Sequence, residues 1–284
     1  VVRSQLADAQ ATFAILDRRT GWTKSPSWDA LLQKVPASSV HCLVLAAAGV
    51  RGRLSDDGYR FNSHGIVQLL DALEKQGIRR FTVAGSCFEY GRTGDMQLFL
   101  DSTSTTQPVE AYGASKLQGA RLLRKWAETA DVSVRYMRLF QLAGAFEPIE
   151  RLLPSAIAHA IAGHDFTVRE GDNVRDFTDV EEVSGKLLHW RELQSPFELF
   201  NICSGVPRTT GEMVREIWDI AEAPGTLNVE SRTAALYGRL VGDPSASRGG
   251  IRVAPLNLRA HPQWSLKDGG PTSATGAIDR LKPN

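Results

Sequence analysis

Short apolar runs rich in β-branched residues alternate along the chain with longer stretches whose apolar positions recur every three to four residues. "ATFAILD" at 11–17, "HCLVLAAAG" at 41–49, "RRFTVAGS" at 79–86 and "VSVRYMRLF" at 132–140 have the length and composition of buried strands. Ahead of the third run, "YRFNSHGIVQLLDALEKQG" sets Ile66, Leu69, Leu70 and Leu73 at i, i+3, i+4 and i+7 and stops at Gly77. That predicts a helix with one buried face and a glycine just past its end. "YGASKLQGARLLRKWAETA" predicts another helix, leading directly into the strand from Val132. Such alternation implies an α/β fold, a doubly wound (Rossmann-type) parallel sheet. "SWDALLQKV" fills the gap between the first two strands with a helix, and no further strand shows where such a sheet ordinarily has one.

Beyond Gly144 the regularity changes. A helical "RLLPSAIAHAIAG", a strand-like "DFTVRE" and the turn "GDN" precede "VRDFTDVEEVSGKLLHW", which runs into a helix. "FELFNICSG" is a further strand, and "TTGEMVREIWDIA" a helix capped by Thr209 or Thr210. The expected organisation is a dinucleotide-binding domain at 1–144, to which part of 176–205 returns, and a smaller C-terminal α+β substrate lobe over 145–284.

Composition narrows the possibilities. With 42% hydrophobic and 23% charged residues the chain is globular and too apolar for disorder. A net charge of +1 gives no general attraction to nucleic acid or to an anionic membrane. The histidines show no metal-ligand spacing, no apolar run approaches the roughly 18 residues of a membrane span, and no signal peptide is visible. Cys42, Cys87 and Cys203 lie far apart in apolar runs, as reduced core thiols do, which points to the cytoplasm.

In an open parallel sheet, ligands lie beyond the carboxyl ends of the strands. Asp17, Ala46 to Gly49 and Ser86 fall there and face one crevice. Tyr112 and Lys116 sit one helical turn apart at the start of the following helix, so their side chains share a face and converge on Ser86. A neighbouring ammonium is expected to lower the phenol from about 10 towards the working pH, for proton exchange with a carbinol or carbonyl oxygen that Ser86 also hydrogen-bonds. Plainer readings stand beside these: an exposed Tyr/Lys pair, Ser86 as a turn cap, Asp17 as a turn former, and Arg175 with Asp176 as a local ion pair. Cys87 has no histidine near in sequence and reads as packing, while Glu89 either orients substrate or faces solvent.

"YRFNSHG", "GSCFEYG", "YGASK", "VRDFTDVEEV" and "FNICSG" occur in order at suitable separations. Through them most of the chain resembles the extended short-chain dehydrogenase/reductase family, in particular its nucleotide-sugar epimerases, dehydratases and ketoreductases. The resemblance implies NAD or NADP as cofactor and a nucleotide-diphosphate sugar as substrate. It makes Tyr112 the acid/base, Lys116 its electrostatic partner and ribose anchor, and Ser86 the clamp on the carbonyl oxygen. Asp17, Arg18, Ala46, Ala47 and Asn62 fall on the cofactor side, Asp17 favouring NAD, and Arg18 and Arg19 suiting a 2′-phosphate. Cys87, Gln141 and Arg175 fall on the substrate side, with Arg175 gripping the diphosphate and Asp176 serving structure. A homodimer formed through the helices at 60–76 and 112–130 is implied as well.

The pattern also departs from the family. Its dehydratases carry Asp-Glu where this chain has Cys87 and Phe88, which disfavours a 4,6-dehydratase, and Gln141 stands where asparagine is usual. No GxxGxxG turn precedes Asp17, and Val1 to Leu6 resemble the helix that follows such a turn, so the first strand and glycine turn are absent from the sequence given. Either the sequence is trimmed or the protein lacks the motif; the complete Ser/Tyr/Lys set favours trimming. The expected activity is that of an NDP-sugar 4-ketoreductase or 4-epimerase. The alternative is a non-catalytic relative that binds a nucleotide sugar or a partner protein.

Overall fold

The computed structural model describes residues 41–45, 54–144, 147–231 and 237–261. The expected strand at 11–17, the helix in "SWDALLQKV", and Asp17, Arg18, Ala46 and Ala47 lie outside the described residues. Along the chain, β1 (Cys42–Val44) leads to α1 (Asp56–Arg60) and α2 (Ile66–Glu74), joined by a π-helical turn at Phe61–Gly65. Next come β2 (Arg80–Ser86), a 3₁₀ turn at Cys87–Glu89, the short α3 (Thr93–Met96), the long α4 (Ala111–Ala127), β3 (Ser133–Leu139) and β4 (Gln141–Ala143). The remainder comprises α5 (Leu152–Ala162), β5 (Phe166–Val168), β6 (Val174–Asp179), α6 (Val180–Leu188), β7 (Phe197–Cys203), β8 (Pro207–Thr209), α7 (Thr210–Ala221), β9 (Leu227–Val229), β10 (Arg239–Leu240) and β11 (Gly250–Arg252).

The central sheet has the order β1-β2-β3-β7-β11, and every pairing in it is parallel. Its register sets Ser86 beside Leu139 and Leu139 beside Ile202, so the carboxyl ends of three strands form one rim. Alternation along β3 sorts the two faces. Val134 and Tyr136 enter a core with Leu69, Leu70 and Leu73 of α2 and Leu123 of α4, whereas Met137 packs with Val183 and Leu187 of α6. Helices therefore cover both faces, as a doubly wound fold requires. Arg135, on the α6 side, donates to the Leu187 carbonyl at 2.8 Å and to Thr82 Oγ1 at 3.0 Å, satisfying a carbonyl at the end of that helix.

One predicted helix is broken in a useful way. Its buried apolar stripe holds, and Gly77 ends it in the left-handed region at φ +93°, but residues 61–65 wind as a π turn. At that turn the helix lies directly on α4, for a Cβ on Gly119 would stand 2.3 Å from the Asn62 carbonyl oxygen.

The later strands build a second sheet, β10-β6-β4, with β8 antiparallel to β6, beside a separate β5–β9 pair. "VRDFTD" is a strand, and Asp179 then caps α6 by accepting from Glu181 N at 2.7 Å. α5 and α7 close over this sheet through Leu153, Ile157, Val214 and Ile217, packed with Phe177. Of the two threonines expected to cap α7, Thr209 does so, in a reciprocal capping box with Glu212. Asp176 joins the two sheets: it accepts from Ser204 N at 3.0 Å, Ser204 Oγ at 2.5 Å, Gly205 N at 2.9 Å and Gly242 N at 3.2 Å. Among the described residues no helix is long and apolar enough to cross a membrane, no cluster of ligating side chains is placed to hold a metal, and the cysteines are free.

Candidate active site

Ser86 ends β2, and the chain turns at once into the 3₁₀ segment that it caps, its Oγ accepting from Phe88 N at 3.3 Å. The start of α4 packs against this turn with no side chain between them: a Cβ on Gly113 would stand 2.4 Å from the Phe88 carbonyl oxygen. This close approach brings Tyr112, in the first turn of α4, to the Ser86 side chain, which lowers its phenol against the effect of burial. Lys116, one turn on and only 5% exposed, donates to the Ala84 carbonyl on β2 at 3.1 Å. Both side chains therefore face β2, Tyr112 at its Ser86 end and Lys116 at Ala84.

Asn62 acts on this group through the helix. Its amide donates to Ser115 Oγ at 3.1 Å, and Ser115 donates to the Tyr112 carbonyl at 2.8 Å, so the π turn holds the segment that carries the phenol and the ammonium. This places Asn62 behind α4, as a support for the residues expected to meet the cofactor.

Electrostatics correct one expectation. Burial pushes the Tyr112 phenol up to about 12, with Cys87 and Glu89 adding to the rise and Ser86 and Arg151 opposing it. Burial brings the Lys116 ammonium down to about 8, opposed by Glu89. The phenol is therefore not drawn towards neutrality in the protein alone, because its desolvation dominates. At neutral pH Tyr112 is protonated, the form that can donate to a carbonyl oxygen.

The substrate-side residues divide. Cys87 is buried with Tyr90, Leu100, Phe140 and Cys203, and burial raises its thiol to about 12, so it packs beneath the site and does not line it. Phe88 meets Tyr112 edge-on at 6.3 Å and Tyr237 at 5.6 Å, forming an aromatic wall. Arg175, expected to reach the diphosphate, is 5% exposed; it donates to the Gly238 carbonyl at 2.9 Å and lies over the Tyr237 ring at 5.6 Å. It fixes the Tyr237 end of that wall, and it makes no ion pair with Asp176, whose oxygens are engaged elsewhere. Gln141 opens β4 just past the rim, half-buried, its carbonyl accepting from Thr178 at 3.3 Å.

A nicotinamide dinucleotide suits this donor set. A lysine offers three N–H donors, and with a phenol at its side it matches a ribose hydroxyl pair. The profile of the NAD dependent epimerase/dehydratase family matches residues 4–203. The chain belongs to that family. It is 28% identical over 232 residues to UDP-glucose 4-epimerase of Mycoplasma genitalium, across 73% of this chain and 65% of that one, so it spans just under two thirds of that relative. GDP-6-deoxy-D-mannose reductase of Pseudomonas aeruginosa is 25% identical over 170 residues, covering 57% of this chain and 56% of the reductase. In fold the chain is similar to MoeE5 in complex with UDP-glucose and NAD, with a TM-score of 0.77, 21% identity, and 95% of each chain covered. The family is NAD-dependent by description, in line with the cofactor expected from the sequence, NAD or NADP.

Within this epimerase/dehydratase frame the sequence reading left Glu89 unassigned and did not see Tyr136 or Arg138. Glu89 is fully buried, accepting from Ser86 N at 2.9 Å, Tyr136 Oη at 2.8 Å and Arg138 Nε at 2.8 Å. One signal for it was present: Ser86 and Glu89 stand at capping-box spacing, and the box forms.

Proposed function

We propose that the protein exchanges hydride at a sugar carbon of a nucleotide-diphosphate hexose, as an NAD(P)-dependent 4-ketoreductase or 4-epimerase, with Tyr112 as acid/base. The observation that carries this reading is the start of α4 packed on the turn that follows Ser86, which brings Tyr112 to the strand end while Lys116, one turn on, donates to Ala84 of the same strand. A carbonyl oxygen held between the two hydroxyls would receive a hydrogen bond from Ser86 and a proton from Tyr112. Held protonated at neutral pH, the phenol is ready for the reductive step that ketoreduction and epimerisation share. Lys116 anchors the ribose, and the nicotinamide, when bound, supplies or accepts the hydride. Dehydration has no support here, because a thiol raised to about 12 and a phenylalanine follow Ser86, and neither can remove or deliver a proton to expel water.

The test is turnover of UDP- and GDP-hexoses and their 4-keto forms by the full-length protein loaded with NAD or NADP. Tyr112→Phe is expected to lose roughly 10²- to 10⁴-fold in kcat while dinucleotide binding persists. Equal rates in parent and variant overturn the acid/base assignment, and a parent that binds nucleotide sugars without turnover supports the non-catalytic reading.

A further inference from the structure

Glu89 is fully buried beneath the site, and the reaction above assigns it no part. Three elements nevertheless meet on its carboxylate. Oε1 takes the Ser86 amide from the end of β2 and the Tyr136 hydroxyl from β3, and that hydroxyl also lies 3.1 Å from the Lys116 carbonyl oxygen on α4. Oε2 takes Arg138 Nε, itself buried at 4% exposure. The strand is shaped around this group: a Cβ on Gly85 would stand 2.3 Å from the Tyr136 ring and 2.9 Å from Glu89 Oε1.

Resting on the assignment of Ser86, Tyr112 and Lys116 above, we propose that Glu89 is a positioning residue for hydride exchange. Its carboxylate grips the Ser86 amide, and the Tyr136 hydroxyl, whose single proton is shared in a three-centre bond between Glu89 Oε1 and the Lys116 carbonyl, links it to the helix that carries the acid/base, so that clamp and helix are fixed relative to one another. A turn cap alone requires only the bond from Ser86 N. The second oxygen, the ion pair and the tyrosine bridge go beyond it, and a buried ion pair is a costly way to hold a turn. Charge adds to geometry, for Glu89 favours both the protonated phenol of Tyr112 and the charged ammonium of Lys116. The other titratable or charged groups around this cluster are Arg138 and Tyr136 from β3, Cys87 and Tyr90 from the turn, Arg175 and Asp176 of β6 facing Cys87, and Arg151 ahead of α5.

Glu89→Gln keeps the shape and an acceptor but removes the charge. Ultraviolet difference titration against Tyr112→Phe reads the phenol without substrate or cofactor, and the variant's phenol is expected to ionise roughly one unit lower than the parent's. The basic limb of the reduction profile moves the same way, since a phenol that ionises earlier stops donating earlier, and kcat falls about tenfold with dinucleotide affinity held within about twofold. A phenol that titrates as in the parent, or a parent-like kcat, overturns the proposal. Should Gln at 89 leave Arg138 unable to pack, Tyr136→Phe decides, because it keeps every charge. Its fold is expected to survive with kcat lowered several-fold, and a parent-like kcat overturns the bridge. A parent inactive on every nucleotide sugar sinks the functional assignment instead, and the titration still reads the hold of Glu89 on Tyr112.

Discussion

Burial moves the two side chains at the heart of the site in opposite directions, the Tyr112 phenol up to about 12 and the Lys116 ammonium down to about 8. Sequence spacing shows that they share a helix face, but it cannot show that both are withdrawn from water, and desolvation decides the sign of each shift. Lys116 thereby links function to stability. Its folded value lies below the 10.5 of an exposed lysine, so between about 8 and 10.5 the unfolded chain holds more protons than the folded one. Stability from this group rises with pH across that window, and below it the full cost of about 3 kcal/mol is present. Lys116→Met is therefore expected to melt higher than the parent at pH 7 and to lose that advantage by pH 10, while turnover collapses. Melting curves at the two pH values check it; a variant less stable than the parent at pH 7 shows that the hydrogen bond to Ala84 outweighs the burial of charge.

Elements were legible where a period was long enough to count. The stripe of Ile66, Leu69, Leu70 and Leu73 is buried as its spacing requires, and the runs at 79–86 and 132–140 became β2 and β3. Strands β9, β10 and β11, two or three residues each, are too short to show alternation, and tertiary pairing alone defines them. The π turn at 61–65 was equally hidden, because the apolar stripe starts only after it. Its consequence is a helix crossing in which Gly119 accepts the Asn62 carbonyl at a distance no side chain allows. Gly119→Ala must therefore push α4 away from the π turn. The expected result is a loss of about 1–3 kcal/mol, as overpacking gives, and weaker dinucleotide binding as Lys116 shifts with its helix. Chemical denaturation and a dinucleotide titration test the two effects together, and an unchanged midpoint means that the π turn relaxes to make room.

At the scale of the whole molecule, adjacent residues of β6 hold in place the segments that run between β7 and β11 of the central sheet. Arg175 holds the Tyr237–Gly238 segment that completes the aromatic wall, and Asp176 holds the end of β7 and Gly242. "VRDF" marked this pair by resemblance alone; apart from the Val174 carbonyl beside Arg175, its partners lie from 28 to 66 residues away in the chain, a separation that no local pattern encodes. Asp176→Ala would leave three backbone N–H groups, two of them buried, and the Ser204 hydroxyl without their acceptor. Each such loss costs about 1–3 kcal/mol in isolation, but partial relaxation and water entry make the sum smaller, so a total of about 2–4 kcal/mol is expected. Asp176→Asn, which keeps one acceptor oxygen, should fall between parent and alanine variant. Because the joint lies on the Tyr237 side of the site and away from α4, KM for the nucleotide sugar should rise more than Kd for the dinucleotide. Equal changes in both constants indicate general loosening of the fold, whereas a parent-like melting midpoint for Asp176→Ala places the joint between the sheets somewhere other than this carboxylate.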